Sequence, residues 1–301
     1  MTAVRRIENI AIVGTGLIGG SVGLALRRGG FAGRIVGWDR DRAQAEIARE
    51  QGAIDAVAED GLTAAKQSDL VLLAGPVFTI LDWMEKLAPL LTPDQVMTDV
   101  GSVKGVIAQR AREWYCQAGR AVFLPGHPMS GKEVSGAANA DAGLFNGAVW
   151  LFTPVAGEVS AVAGGFANDW RELVRSMGCR VLDLEPERHD ELCAWVSHLP
   201  QMVSTAMSAL LEDRFADDAD LREIGGRALR EMTRLGASPY SMWRDIAHLN
   251  NEAIGESLLA LEQRLAHVRE NLRTPELREE FEQANRFRLG ARANPAKSET
   301  S

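Results

Sequence analysis

Residues 13–21 read Val13-Gly14-Thr15-Gly16-Leu17-Ile18-Gly19-Gly20-Ser21, and this stretch decides the fold. An apolar run, Ile7 to Val13, leads into it, and Gly14, Gly16 and Gly19 have the G-x-G-x-x-G spacing. Alone that spacing is weak. Here it follows a strand and opens a helix, and Asp39 stands 20 residues after Gly19, at the end of a second strand. Gly14 permits a tight turn, Gly16 lets the backbone approach a pyrophosphate, and Gly19 lets the helix pack closely on the sheet. The phosphates then sit on free N–H groups at the positive end of the helix, beside Leu17 and Ile18. The Asp39 carboxylate suits ribose hydroxyls and repels a 2′-phosphate, so NAD is expected over NADP; the adjacent Arg40 softens that preference. A glycine turn without a ligand would leave the correctly spaced acid unexplained.

Working outward, the first 186 residues alternate between strands and helices. After Ile7–Val13, strand candidates are 34–38, 69–74, 95–98, 121–124, 148–152 and 180–184, with helical stretches between most of them. This alternation predicts an α/β domain with a mostly parallel sheet covered on both faces. The pattern changes at Glu185-Pro186. Leu192, Val196, Leu199, Val203 and Leu210 keep helical spacing, and residues 221–233, 238–250, 251–272 and 275–289 read as four more helices. Ser238-Pro239 and Thr274-Pro275 look like helix starts, with a capping hydroxyl before a first-position proline. The expected organisation is a nucleotide domain over 1–186, an all-helical domain over 187–290 and a disordered polar tail over 291–301.

Composition bounds the function. Two domains suit 301 residues, and 46% hydrophobic residues are enough for full cores. A net charge of −8 argues against a nucleic-acid or anionic-membrane partner. The three cysteines, Cys116, Cys179 and Cys193, lack metal-ligand spacing and fit a reducing, cytoplasmic compartment. No leader segment, no membrane span and no metal are expected.

Three segments could carry chemistry. Asp99 to Gly105 follows a strand end, where a doubly wound sheet forms its ligand crevice. Ser102 there either faces that crevice or caps the next helix. Gly126-His127-Pro128-Met129-Ser130-Gly131 follows the next strand end. A histidine between two glycine-flanked turns on the ligand edge is a candidate for proton transfer near neutral pH. Ser197-His198-Leu199-Pro200-Gln201 lies inside a helix that proline should kink. His198 and Gln201 then point into a cleft, or belong to an ordinary kinked core helix. Arg230 to Arg234 closes one helix and Met242 to Asp245 opens another; spacing does not choose between a solvated face and a carboxylate clamp.

Taken together these segments resemble the prephenate dehydrogenase family, whose members act on prephenate, arogenate or both. Val13 to Ser21 is similar to its nucleotide loop, including the Gly-Gly-Ser ending that places Ser21 at the cofactor. Asp99–Gly105, Gly126–Gly131, Val196–Pro200 and Thr233–Asp245 resemble four later motifs in the same order, so the likeness covers residues 7 to 290. The resemblance implies NAD-dependent oxidative decarboxylation of prephenate to 4-hydroxyphenylpyruvate in tyrosine biosynthesis. It implies that His127 accepts the proton of the ring hydroxyl and that Ser102 holds hydroxyl and His127 in register. Arg234 would clamp a carboxylate, and His198, Trp243 and Arg244 would line the cleft. Hydride would leave C4 for NAD, and loss of CO2 would make the ring aromatic, so no metal is required. The helical domain of the family forms an intertwined homodimer, which is expected here.

Some members carry a second histidine where this chain has Gln201. Gln201 both donates and accepts, which suits the keto group of prephenate or the amino group of arogenate. An arogenate or dual-specificity cyclohexadienyl dehydrogenase is therefore the nearest alternative. A β-hydroxyacid dehydrogenase would need a lysine early in the helical half, and none stands between Glu187 and Ala247. A non-catalytic NAD-sensing dimer would leave the histidine motifs unexplained. Neither a regulatory domain after residue 301 nor a mutase domain before residue 7 is expected.

Overall fold

The computed structural model describes residues 6–117, 119–155 and 161–292. Its first half runs β1 (Asn9–Val13), α1 (Leu17–Arg28), β2 (Arg34–Trp38), α2 (Arg42–Glu50), β3 (Ala56–Val57) and α3 (Gly61–Lys66). It continues through β4 (Leu70–Leu73), α4 (Val77–Leu87), β5 (Val96–Asp99), α5 (Gly105–Trp114) and β6 (Val122–Leu124). These six strands form one sheet in the order β3-β2-β1-β4-β5-β6, all parallel. Side chains alternate across it as a period of two requires. Ile10, Ile12, Leu70 and Leu72 enter one core, while Ala11, Val13, Val71 and Leu73 enter the other. Both faces are covered, which is why β4 is apolar throughout and β1 is apolar from Ile10 onward. The chain reverses direction of winding between β1 and β4, and a crevice opens at the carboxyl ends of such strands.

A second sheet corrects the sequence reading. β7 (Gly126–Pro128), β8 (Val149–Phe152) and β9 (Arg180–Asp183) form their own three-stranded sheet, with α6 (Ala161–Ser176) between the last two. β7 runs antiparallel to β8. His127 therefore stands on a strand, not in the turn expected from its flanking glycines. Pro128 is compatible with this because β7 is an edge strand and needs no donor there.

From Pro186 every element is helical: α7 (Pro186–Cys193), a five-residue π segment (Ala194–His198), α8 (Leu199–Phe215), α9 (Ala219–Ile224) and α10 (Arg227–Thr233). A 3-10 turn (Arg234–Ala237) leads to α11 (Tyr240–Leu249), α12 (Asn251–Glu270) and α13 (Glu276–Arg292). Pro200 has no N–H to give the preceding turn, and the helix widens into the π segment ahead of it. The single helix expected over 221–233 is two, broken at Gly225-Gly226. Ser238 does not cap α11: Pro239 holds that position without a side-chain bond, and the Ser238 N–H instead closes the turn onto Leu235 O.

Burial also inverts the expected stripe on α8. Val196 in the π segment and Leu210 in α8 are exposed and Leu192, Leu199 and Val203 are half-buried, whereas His198 at the end of the π segment and Gln201 and Ser204 in α8 are buried. By compactness, one unit runs to Asn251 and a second begins at Glu252. α7 packs on α5 and α11 on α4, so these helices join the nucleotide domain in one unit. In the second unit, α12 and α13 are tied by Arg264 to Glu280 at 2.7 Å. The expected tail lies, from residue 293, outside the described residues. No described helix is long and apolar enough to cross a membrane.

Candidate active site

The glycine loop has the backbone its sequence demands. Gly14 adopts φ +96°, and a Cβ there would meet Ala74 O at 2.4 Å. A Cβ on Gly19 would stand 1.9 Å from Gly14 O. On Gly16 it would meet nothing within 4 Å, so that face of the loop is open. No side chain caps α1 at Gly16, which leaves the start of the helix, with Leu17 and Ile18, as a cradle for an anion. Asp39 closes the loop from the other side: Oδ2 accepts the Thr15 N–H at 2.8 Å and Oδ1 accepts the Asp41 N–H at 3.0 Å. Arg40 is exposed beside it. These features fit a dinucleotide. Ser21 does not join them. It is fully buried, and its Oγ accepts the Asp141 N–H at 2.9 Å, so it anchors a neighbouring loop instead of a cofactor.

At the carboxyl end of β5, Asp99 and Lys104 form an ion pair with neither side chain exposed. Asp99 also accepts the Gly101 and Gly126 N–H groups, and Lys104 Nζ donates to Gly126 O at 2.6 Å. Burial lowers the Lys104 pKa, while the Asp99 carboxylate opposes that shift. The pair fixes the entry to β7 and hence the place of His127. α5 begins at Gly105 with no cap from its own segment. Asp190 of α7 serves instead, accepting the Lys104 and Gly105 N–H groups at 2.7 Å each. Ser102 therefore is not the cap; it is half-buried and makes no hydrogen bond with a described residue.

His127 is 7% exposed. Its Nδ1 lies 2.8 Å from His189 Nε2, and His189 Nδ1 lies 2.8 Å from Asp190 Oδ1. His189 thus holds His127 through Nδ1. Burial, reinforced by His189 and Lys104, holds the His127 pKa well below the ordinary histidine value. His127 is neutral, as a proton acceptor must be. His198 converges on the same place: it is fully buried, its Nδ1 receives the Asn250 amide at 3.2 Å, and its Nε2 has no partner. Burial pushes its pKa down to about 4. Trp243 packs edge-on against it, with ring centroids 5.8 Å apart.

The remaining expected residues divide. Arg234 is ion-paired with Glu133, not with the neighbouring Glu231, which pairs with Arg227. Gln201 is buried and spends both amide hydrogens, on Thr205 Oγ1 at 3.0 Å and Leu235 O at 2.7 Å. Arg244 grips Asp245 Oδ1, whose partner oxygen accepts the Phe78 N–H at the start of α4. Sequence reasoning missed His189, Asp190, Asn250 and Glu133. The adjacency of His189 and Asp190 in the middle of α7 was the only local signal, since three of five histidines meeting is a tertiary event.

A doubly wound sheet with an open, uncapped glycine loop, and buried histidines beside its crevice, defines a dinucleotide-binding protein of the dehydrogenase type. Two models of one family match consecutive stretches: "Prephenate dehydrogenase, nucleotide-binding domain" over residues 22–171 and "Prephenate dehydrogenase, dimerization domain" over 185–285. The chain belongs to the prephenate dehydrogenase family. It is 30% identical over 250 residues to the prephenate dehydrogenase of Bacillus subtilis, covering 82% of this chain. It spans 65% of that relative's length, just under two thirds. Among solved structures, the prephenate dehydrogenase of A. aeolicus in complex with hydroxyphenyl propionate and NAD+ is 29% identical, with a TM-score of 0.82 covering 94% of this chain and 98% of that one. The Synechocystis arogenate dehydrogenase is 29% identical, with a TM-score of 0.73 covering 94% and 99%.

Proposed function

We propose that the chain is an NAD-dependent prephenate dehydrogenase, oxidising the C4 hydroxyl of prephenate with loss of CO2. The observation that carries this reading is the neutral, buried His127, one ring nitrogen bonded to His189 and the other free beside the nucleotide crevice. NAD, when bound, supplies the hydride acceptor. The glycine loop, through Gly14, Gly16, Leu17, Ile18 and Gly19, holds its pyrophosphate, and Asp39 receives its ribose hydroxyls. His127 takes the hydroxyl proton, with Ser102 alongside. The partnerless His198 Nε2 carries the proton that the Asn250 contact leaves there, and donates it to bound substrate or nicotinamide. Arg234 exchanges Glu133 for a substrate carboxylate, a bidentate match that lysine does not make. Trp243 walls the cleft and Arg244 stands behind it.

A homodimer belongs to the same reading. Val196 in the π segment and Leu210 in α8 are bare, and α13 exposes Phe281, Phe287 and Leu289. Apolar faces of this extent mark an interface. Three unpaired cysteines agree with a cytoplasmic site.

One observation favours a second substrate. With its amide hydrogens spent, Gln201 offers only Oε1, an acceptor, which suits the amino group of arogenate better than the keto group of prephenate. NADH formation with prephenate and arogenate side by side tests both. Turnover of neither would overturn the proposal.

A further inference from the structure

His127 has two ring nitrogens, and only one outcome of its protonation permits catalysis. A neutral imidazole carries a proton on one nitrogen and a lone pair on the other. For His127 to accept a proton from a ligand in the crevice, the lone pair must stand on Nε2, the nitrogen that His189 does not occupy.

The neighbouring groups settle this in a chain. Asp190 accepts two backbone N–H groups at the start of α5, one on each oxygen. With both oxygens accepting from the backbone, the carboxylate is an acceptor on every side. His189 Nδ1, 2.8 Å from Asp190 Oδ1, therefore carries a proton. His189 is fully buried; burial lowers its pKa, with Lys104 adding to that shift and Asp190 opposing it. The ring is neutral, and its Nε2 holds a lone pair. His127 Nδ1 lies 2.8 Å from that lone pair and must be the donor. The lone pair of His127 is then left on Nε2. Cys193 Sγ, 3.6 Å from His189 Nε2, does not disturb the sequence, because burial pushes its pKa up to about 12 and keeps it a weak thiol donor.

We infer that Asp190 and His189 are positioning residues that lock His127 in the Nδ1–H form, and that the same carboxylate sets the Ser102 loop by capping α5. The inference rests on the reading of His127 as proton acceptor. In the step itself the hydroxyl O–H bond breaks and an N–H bond forms at His127 Nε2. The imidazolium so made faces the Asp190 charge through His189, so the lock also stabilises the product of the transfer. The same side chains with Cys193 stand close enough to suggest a metal site. A separation of 2.8 Å between the ring nitrogens is a hydrogen bond, shorter than the roughly 3.3 Å that two imidazoles keep around one tetrahedral zinc.

Asp190→Ala tests the lock. Oδ1 accepts both the Lys104 N–H and the His189 Nδ1 proton, so an asparagine can keep its oxygen there and preserve the lock, whereas alanine removes the acceptor. Neither ring is then held in one tautomer, and His127 presents an N–H to the substrate in part of the molecules. The kcat should fall, within the roughly 10²–10⁴-fold that a general base is worth, with substrate KM and NAD affinity little changed, and Asp190→Asn should recover most of it. In the 15N spectrum, His127 Nε2 should give a lone-pair signal in the wild type and shift toward a protonated signal in Asp190→Ala. His189→Gln, whose Oε1 can accept the His127 Nδ1 proton, should regain much of the rate lost in His189→Leu. If Asp190 only caps a helix, Asp190→Ala will lower Tm while kcat and the His127 spectrum stay as they were, which overturns the inference. A wild-type spectrum with the proton on Nε2 overturns it equally. A fully active His127→Asn would instead sink the proton-acceptor reading, and the spectrum would still report the lock.

Discussion

Lys104 and Asp99 form an ion pair in which neither side chain has any exposed surface, and both also hold the backbone of Gly126, next to His127. Removing one partner leaves a bare charge in the interior, which typically costs about 3–5 kcal/mol. Lys104→Met should therefore lower unfolding free energy by about that amount in denaturant titration. The double variant Lys104→Met/Asp99→Asn should recover part of it, because no charge is left unpaired. A single variant as stable as wild type would show that Asp99 finds another partner.

Two glycines of one loop should fail differently. Gly19→Ala meets Gly14 O at 1.9 Å and should lower Tm. Gly16→Ala meets no protein atom and should keep Tm while losing NAD affinity, since its methyl group occupies the phosphate side. Calorimetry and NAD titration on the pair separate folding from binding. Loss of neither in Gly16→Ala would remove the cradle from that face.

Asp39 braces Thr15, and in the proposed function it also receives the ribose hydroxyls. Asp39→Ser should narrow the preference for NAD over NADP, with Arg40 free to meet the 2′-phosphate. It should also raise the NAD KM, because the loop loses its brace. Wild-type turnover as good with NADP as with NAD would refute the first half.

Three buried histidines link stability to acid. The folded pKa values of His127 and His189 are lowered, and that of His198 falls to about 4. The unfolded chain, near 6.5, takes up protons first, so this stability is fully present above about pH 6.5 and is lost as pH falls toward the folded values. By pH 4 the His198 shift alone is worth on the order of 3 kcal/mol. Tm should drop through this window, and less steeply in His198→Gln. By the same reasoning kcat should stay level through neutral pH and decline only below the ordinary histidine range, as His127 protonates. An activity limb centred at 6.5 would contradict the burial argument.

Arg234→Gln should raise the prephenate KM, because it removes the charge-assisted, bidentate contact to a substrate carboxylate. Its exposed pairing with Glu133 predicts an effect on stability below about 1 kcal/mol. An unchanged KM would leave Arg234 a surface partner of Glu133 only.

Local chemistry determined much of this protein before any folding was considered. The glycine spacing, the apolar runs of β1 and β4 and the acid at Asp39 are short-range patterns. Each allows one backbone solution, since a glycine turn, a twice-covered strand and a helix start are defined within a few residues. His127, His198 and Arg234 stood out as candidates because each lies in a marked segment. The rest depended on distance. His189 and Asp190 touch the site only because α7 packs on α5, and no periodicity encodes which helix a carboxylate caps. The π segment before Pro200 turns His198 inward and Val196 outward, reversing the face that a regular 3.6-residue count assigns. Ser21 was lost to the interior for the same reason: a residue's neighbours in sequence show which motif it belongs to, and only packing decides which way its side chain looks.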